Sequence, residues 1–88
     1  MLVGRGQITG RECVSRLRDA VREHNRARGT TWRVARLPRR GKGSHEIWAV
    51  LEGETVIAQA GVTTKMGDTV RDRFIAAFVT LFNDEDWF

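Results

Sequence analysis

The chain has 88 residues, of which 41% are hydrophobic and 30% are charged. This length and composition are typical of one small globular domain and exclude an intrinsically disordered chain. The sequence has no apolar run of the roughly 18 residues or more that a membrane-spanning helix requires.

The ends of the chain and its one cysteine indicate where the protein works. Residues 1–7 lack the apolar stretch of a secretory signal, and Cys13 has no second cysteine with which to form a disulfide. We therefore expect a single domain over residues 1–88 in the cytoplasm, with residues 1–8 as an N-terminal arm and residues 83–88 as an acidic tail that folding does not require. Cys13 is expected to be an inert core residue.

The charge is distributed unevenly along the chain. Residues 1–43 hold twelve basic and three acidic residues, a net charge of +9, whereas residues 44–88 hold three basic and eight acidic residues, a net charge of −5. A one-sided basic surface of this kind favours a polyanionic partner. Solubility alone is the alternative interpretation of this charge distribution.

The first predicted helix begins at a capping box. Thr9 and Glu12 have the spacing at which each side chain binds a backbone N–H of the first helical turn. Leu17 and Val21 belong to the apolar stripe that follows, and Gly29 is expected to stop the helix. Three arginines fall outside this stripe and are read as a solvated face: Arg11, Arg18 and Arg22.

Three predicted strands come next. Residues 31–37 have strand chemistry and end at Pro38, residues 45–51 are read as a second strand with apolar side chains on both faces, and residues 54–62 are rich in β-branched side chains. Gly53 supplies the positive φ that a tight hairpin between the last two strands requires. Short connections between successive strands predict an antiparallel sheet.

A second predicted helix completes the domain. Thr69 is the expected N-cap, with Asp72 three residues later, and the apolar positions recur at helical spacing. The expected buried positions are Val70, Phe74, Phe78 and Leu81, widened by Ile75 and Phe82. The predicted fold is α+β in the order α-β-β-β-α, with both helices on one face of a three-stranded antiparallel sheet, a layout similar to that of a double-stranded-RNA-binding domain.

A Gly-Ser-His motif opens the second strand, at positions 43–45, and Trp48 follows it. Together with Gly-Asp-Thr-Val-Arg at positions 67–71, this stretch resembles the HicA family of messenger-RNA-cleaving toxins. The resemblance implies a catalytic histidine at His45, a double-stranded-RNA-binding-like fold, and a HicB-like antitoxin protein as partner. The chain departs from the family in its longer first helix and in residues 61–66, which lack the Pro- and His-containing turn of many members.

The residues themselves permit this chemistry. An imidazole exchanges protons near neutral pH, so His45 can act as general acid or base on RNA without a metal or another cofactor. The expected RNA-binding residues around it are Arg39, Arg40, Lys42, Ser44 and Lys65. Glu46 is expected on the opposite sheet face from His45, which makes it a poor second participant.

Two interpretations therefore compete with that of a metal-independent endoribonuclease. The same fold can hold structured RNA without cutting it, or the basic half can serve an acidic protein partner. Neither interpretation involves a membrane. His24 is expected to be a partly exposed helix residue, and Trp32 and Trp48 are expected to pack in the core and on the sheet rather than to stack on bases.

Overall fold

The computed structural model describes residues 8–38 and 45–88. Within them the chain forms two helices, α1 (Gly10–Arg28) and α2 (Asp68–Phe82). The strands, in chain order, are β1 (Ile8–Thr9), β2 (Trp32–Arg36), β3 (Glu46–Glu52), β4 (Thr55–Val62) and β5 (Lys65–Met66). None of the described helices is both long and apolar enough to cross a bilayer.

The central sheet is the antiparallel three-stranded sheet that the sequence predicts, in the order β2-β3-β4. Val34 of β2 pairs with Val50 of β3, and Val50 pairs with Ala58 of β4. Gly53 adopts a φ of 63° in the connection between β3 and β4, which confirms the predicted hairpin. The register shifts beside Val50, where Ile57 is the extra residue of a β-bulge.

Both helices pack on one face of this sheet, as predicted. The core joins α1, α2 and the sheet, and its largest fully buried side chains are Phe74, Phe78, Leu17 and Met66. Cys13 is fully buried among them, and desolvation raises the pKa of its thiol, as expected of an inert core cysteine.

The ends of α1 follow the sequence signals. The Thr9 hydroxyl accepts from the Glu12 backbone N–H at 3.1 Å, and the Glu12 carboxylate accepts from the Thr9 N–H at 3.0 Å, so the capping box is present. Gly29 ends the helix with a left-handed φ of 71°. The capping box and the Gly29 stop each depend on residues that are close together in sequence, which is why the sequence predicts both ends of α1.

The start of α2 differs from the prediction. The N-cap is Gly67 rather than Thr69, since the Arg71 N–H already donates to the Gly67 carbonyl at 2.8 Å. No side chain caps this end, and Asp68 in the first turn lies 3.6 Å from the Arg71 guanidinium. The helix therefore begins two residues earlier than a Thr-based cap would place it.

A second, two-stranded sheet was not predicted from the sequence. Ile8 of β1 pairs with Met66 of β5, and Thr9 pairs with Lys65. Residue 8, expected in the N-terminal arm, thus belongs to the folded domain. These strands are too short to show an alternating pattern, and only the tertiary fold brings them together.

The C-terminal segment, residues 83–88, packs against its own chain. The Trp87 indole N–H donates to the Ile75 carbonyl at 2.8 Å, and its ring centroid lies 5.6 Å from that of Phe78. Arg16 of α1 lies 4.6 Å above the Phe88 ring and donates to the Phe88 main-chain oxygen. The acidic tail is thus anchored by two half-buried aromatic residues, and deletion of the tail would measure whether folding requires it.

Candidate functional site

An open cavity of about 730 Å³ lies between the first half of α1 and the end of the sheet at which β3 begins and β4 ends. We call it the α1 cleft. Its volume falls within the range of roughly 300–1,000 Å³ that is usual for small-ligand sites. The polar and aromatic side chains that line it include Arg11, Arg18, Glu46, Trp48, Thr63 and Thr64.

Trp48 lines the cleft on the sheet side. It packs against the hydrophobic core while remaining half-buried. Its indole N–H donates to the Glu46 carboxylate at 2.9 Å, and the Arg18 guanidinium lies 5.3 Å above its ring. The core and the hydrogen bond set the plane of the ring, and the cation–π contact covers it.

The start of α1 forms the opposite wall of the cleft. Gly10 lies so close to the turn after β4 that a Cβ at this position would overlap the Thr63 carbonyl oxygen and a Val62 methyl group. Its N–H donates to the Thr64 carbonyl at 3.0 Å. A residue without a side chain is therefore needed here, and it holds the first helical turn against the end of β4.

The arginines of α1 fall into two groups. Arg22 and Arg26 form ion pairs within the helix, with Asp19 at 3.0 Å and Glu23 at 2.6 Å. Within residues 8–38 and 45–88, the other four α1 arginines have no Asp or Glu oxygen within ion-pair distance: Arg11, Arg16, Arg18 and Arg28. Of these four, Arg11 and Arg18 line the α1 cleft.

Arg36 adds to the positive charge beside the cleft. It pairs with Trp48 across β2 and β3, so the two side chains lie on the same face of the sheet. Arg36 is exposed. A smaller cavity of about 230 Å³ continues along α1 and shares Arg18 with the cleft. The result is a groove along one side of α1 that carries excess positive charge.

His45 lies immediately before β3 and is exposed. Its neighbour Glu46 pairs with Val62 and lines the α1 cleft, so His45 is at the end of the sheet where the cleft opens. Because His45 precedes the strand, the alternation used to exclude Glu46 does not apply to it. Glu46 shares its sheet face with Trp48, whose indole N–H donates to it, so the residue that follows His45 in sequence carries a carboxylate that lines the cleft.

The other predicted site residues have different outcomes. Lys65 is exposed in β5, opposite Thr9 at the start of α1, so it lies at the same end of the molecule as the cleft. Four predicted RNA-binding residues lie outside the described residues: Arg39, Arg40, Lys42 and Ser44. Pro38 and His45 bracket the segment that contains them.

The contacts of His24 indicate a structural role. Its ring stacks on Trp32 with centroids 3.9 Å apart, and its Nδ1 lies 2.9 Å from the Thr30 hydroxyl. The Asn25 side chain joins the same turn by accepting from the Thr30 hydroxyl and the Trp32 N–H. Desolvation, and then the nearby Arg28 charge, lower the pKa of His24. These contacts join the end of α1 to β2 and leave His24 away from the α1 cleft.

The sequence interpretation overlooked the α1 cleft. It treated the arginines of α1 as a solvated face and Trp48 as sheet packing. The packing is confirmed, but Trp48 also borders the cleft. A signal was present in the spacing: Arg11 and Arg18 are seven residues apart, which places them on the same side of a helix. Their approach to Trp48 depends on how α1 crosses the sheet.

Comparisons with known proteins do not assign this chain to a family. No family model matches it, and neither the curated proteins nor the solved structures contain a match.

Proposed function

We propose that this protein is a metal-independent endoribonuclease that holds messenger RNA at the α1 cleft and uses His45 as its general acid–base. The observation that carries the proposal is an exposed histidine directly before Glu46, which itself lines a cleft with two arginines that have no carboxylate partner in the described part of the chain. The resemblance of the Gly-Ser-His motif to the HicA toxins supports the same role for His45.

The chemistry requires one proton acceptor near the ribose and positive charge near the phosphate. His45 takes the proton from a ribose 2′-OH, the 2′-oxygen forms a bond to phosphorus, and the bond from phosphorus to the 5′-oxygen breaks. Protonation of that leaving oxygen by the imidazolium or by water yields a 2′,3′-cyclic phosphate and a 5′-OH end. Arg11 and Arg18 can stabilise the charge that develops on the phosphate.

RNA binding without cleavage is the second candidate. One observation favours it: the carboxylate nearest to His45 in sequence, that of Glu46, already accepts the Trp48 indole N–H. A second acid–base group is therefore less available than in a nuclease that divides the two proton transfers between two side chains. The basic groove serves either function, because phosphate contacts do not depend on cleavage.

Cleavage of a defined messenger RNA in the presence of EDTA tests the proposal. His45→Ala should lower the rate by about 10²–10⁴-fold, the usual contribution of a general acid–base, while RNA binding and the circular dichroism spectrum remain unchanged. His24→Gln is the matched control, since it removes the other histidine of the chain, and it should cleave like the wild type below its melting temperature.

Two results would contradict the nuclease. Wild-type protein that binds RNA but never cuts it would leave the binding function in its place. Equal cleavage by His45→Ala and wild type would remove His45 from the mechanism. The HicB-like antitoxin stays a prediction, and co-purification with the product of the adjacent reading frame would test it.

A further inference from the structure

We infer that the α1 cleft receives one unpaired nucleobase of single-stranded RNA, stacked on Trp48 with its amino group donating to Glu46. This inference rests on the proposed function in that it names the form of RNA that the site takes. It selects unpaired RNA and, at one position, a base with an amino group over uracil.

The first step in the argument concerns the Trp48 ring. Contact with the core and the hydrogen bond to Glu46 hold the indole, while the Arg18 guanidinium of the opposite wall lies over the ring. The Arg18 guanidinium is a planar, delocalised cation, and a nucleobase is a planar ring that stacks on an indole in a similar way. A base that enters the cleft can take the place of the guanidinium, and exposed Arg18 can then turn towards a phosphate.

The second step concerns the strandedness of the RNA. Trp48 lies inside a cleft between a helix and the sheet, rather than on a flat surface. A base within a duplex is covered on both faces by its neighbours and cannot enter such a cleft, whereas an unpaired base can turn out of its strand. The cleft therefore favours loops and single strands over the duplex that the helix and strand order would otherwise suggest.

The third step concerns the choice of base. One carboxylate oxygen of Glu46 accepts from Trp48, and the other has no hydrogen-bond partner among the described residues. A carboxylate accepts hydrogen bonds and donates none when ionised, so it pairs with an amino group of adenine, cytosine or guanine. Uracil has no amino group. Its one donor on the pairing edge, N3–H, lies between two carbonyl oxygens, and these would face the negative charge of Glu46.

Fluorescence anisotropy in a His45→Ala background tests the inference on intact RNA. The probes are labelled oligonucleotides of about eight adenosines, cytidines or uridines, and a duplex of the same length. We expect the adenosine and cytidine strands to bind about tenfold more tightly than the uridine strand, and the duplex to bind more weakly than the adenosine and cytidine single strands.

Two variants assign this preference to the cleft. Glu46→Gln keeps an acceptor for the Trp48 N–H and adds a donor for uracil, so it should abolish the difference between uridine and adenosine strands. Trp48→Leu should weaken all single strands by about tenfold, the loss expected for one stacked base. Trp48→Phe keeps an aromatic ring and should lose less, which separates stacking from a folding defect.

The inference fails if the duplex binds more tightly than the single strands, if uridine strands bind as well as adenosine strands, or if folded Trp48→Leu binds as the wild type does. Each outcome is independent of cleavage, because His45 is absent from the assay. A protein that never cuts RNA would contradict the nuclease and leave this site intact. Conversely, normal cleavage by Trp48→Leu and Glu46→Gln would leave the nuclease and remove the base site.

Discussion

The two histidines of the chain differ in what surrounds them. His24 is half-buried, stacked on Trp32 and next to the Thr30 hydroxyl, whereas His45 is exposed before β3. An imidazole held by an aromatic stack contributes to stability, and an exposed one at a cleft is accessible to a substrate. Residue type alone does not distinguish these roles, but the environment of each ring does.

The lowered pKa of His24 predicts that stability decreases in mild acid. The unfolded chain, with a His24 pKa near 6.5, binds a proton more readily than the folded chain does. Stability from this group is therefore complete above that pKa and is lost as the pH falls towards the lower, folded value.

Thermal unfolding of wild type and His24→Gln at about pH 7.5 and about pH 5.5 measures this effect. Between the two pH values, the melting temperature of the wild type should fall further than that of the variant. His45 is present in both proteins, so any contribution from it cancels in the comparison. An equal loss in the two proteins would show that His24 is not the titrating group.

At the scale of elements, the capping box sets the start of α1 and one wall of the cleft. Thr9 caps the helix, pairs with Lys65 in the small sheet, and precedes Gly10, which packs against the turn after β4. Removing the cap therefore affects the helix end and the position of Arg11 together.

Thr9→Ala should destabilise the domain by about 1 kcal/mol, the usual cost of losing a Thr N-cap. Chemical denaturation with an unchanged m-value would measure it. Thr69→Ala is the matched control: sequence reasoning placed a cap there, but Gly67 is the N-cap of α2 and Thr69 is exposed, so we expect little change. Equal losses in the two variants would contradict the assignment of both caps.

At the scale of the whole molecule, the C-terminal segment packs against the core through its last two residues. Trp87 contacts Phe74, Phe78 and Phe82, and Phe88 lies under Arg16. The acidic side chains between α2 and these aromatic residues are exposed. The segment thus closes the side of the core where α1 and α2 meet.

Deleting residues 84–88 should lower the free energy of unfolding by roughly 2–4 kcal/mol, because it removes two half-buried aromatic side chains. For a domain of this size, the melting temperature should fall by about 10 °C or more. The double variant Glu85→Gln/Asp86→Asn removes charge but no aromatic contact and should shift it by only a few degrees. A small effect of the deletion would restore the sequence expectation of a dispensable tail.

The basic groove predicts that RNA affinity depends steeply on salt. Neutralised phosphates release counterions, so the double variant Arg11→Gln/Arg18→Gln should flatten the slope of log affinity against log salt by about one to two units between about 50 and 200 mM salt. Arg26→Gln/Arg28→Gln makes the same charge change at the far end of α1, away from both cavities. It should change the slope less, and an equal change would place the RNA elsewhere.

RNA binding by Arg39, Arg40 and Lys42 is predicted from the sequence alone. Replacing the three by Ala should also weaken RNA binding and flatten the salt dependence. Comparing this triple variant with the Arg11→Gln/Arg18→Gln double variant would divide the electrostatic contribution between the segment before His45 and the α1 cleft.

The sequence by itself determined the features that depend on neighbouring residues. The Thr9–Glu12 capping box, the Gly29 stop and the Gly53 hairpin arise from interactions over a few residues, so a local pattern contains their cause. The α-β-β-β-α order and the covered sheet face then follow, because both apolar helix stripes have to be buried.

The tertiary structure alone decided what depends on contacts between distant parts of the chain. The pairing of Ile8 with Met66, the docking of Trp87, and the position of Arg18 over Trp48 each join elements that no short pattern relates. From the sequence alone, Trp48 is equally compatible with simple packing in the core, and Arg18 with a solvated helix face. In the folded chain the two side chains line the same cleft. Gly10 lets α1 approach the end of β4, and a cavity remains between α1 and the sheet at Trp48.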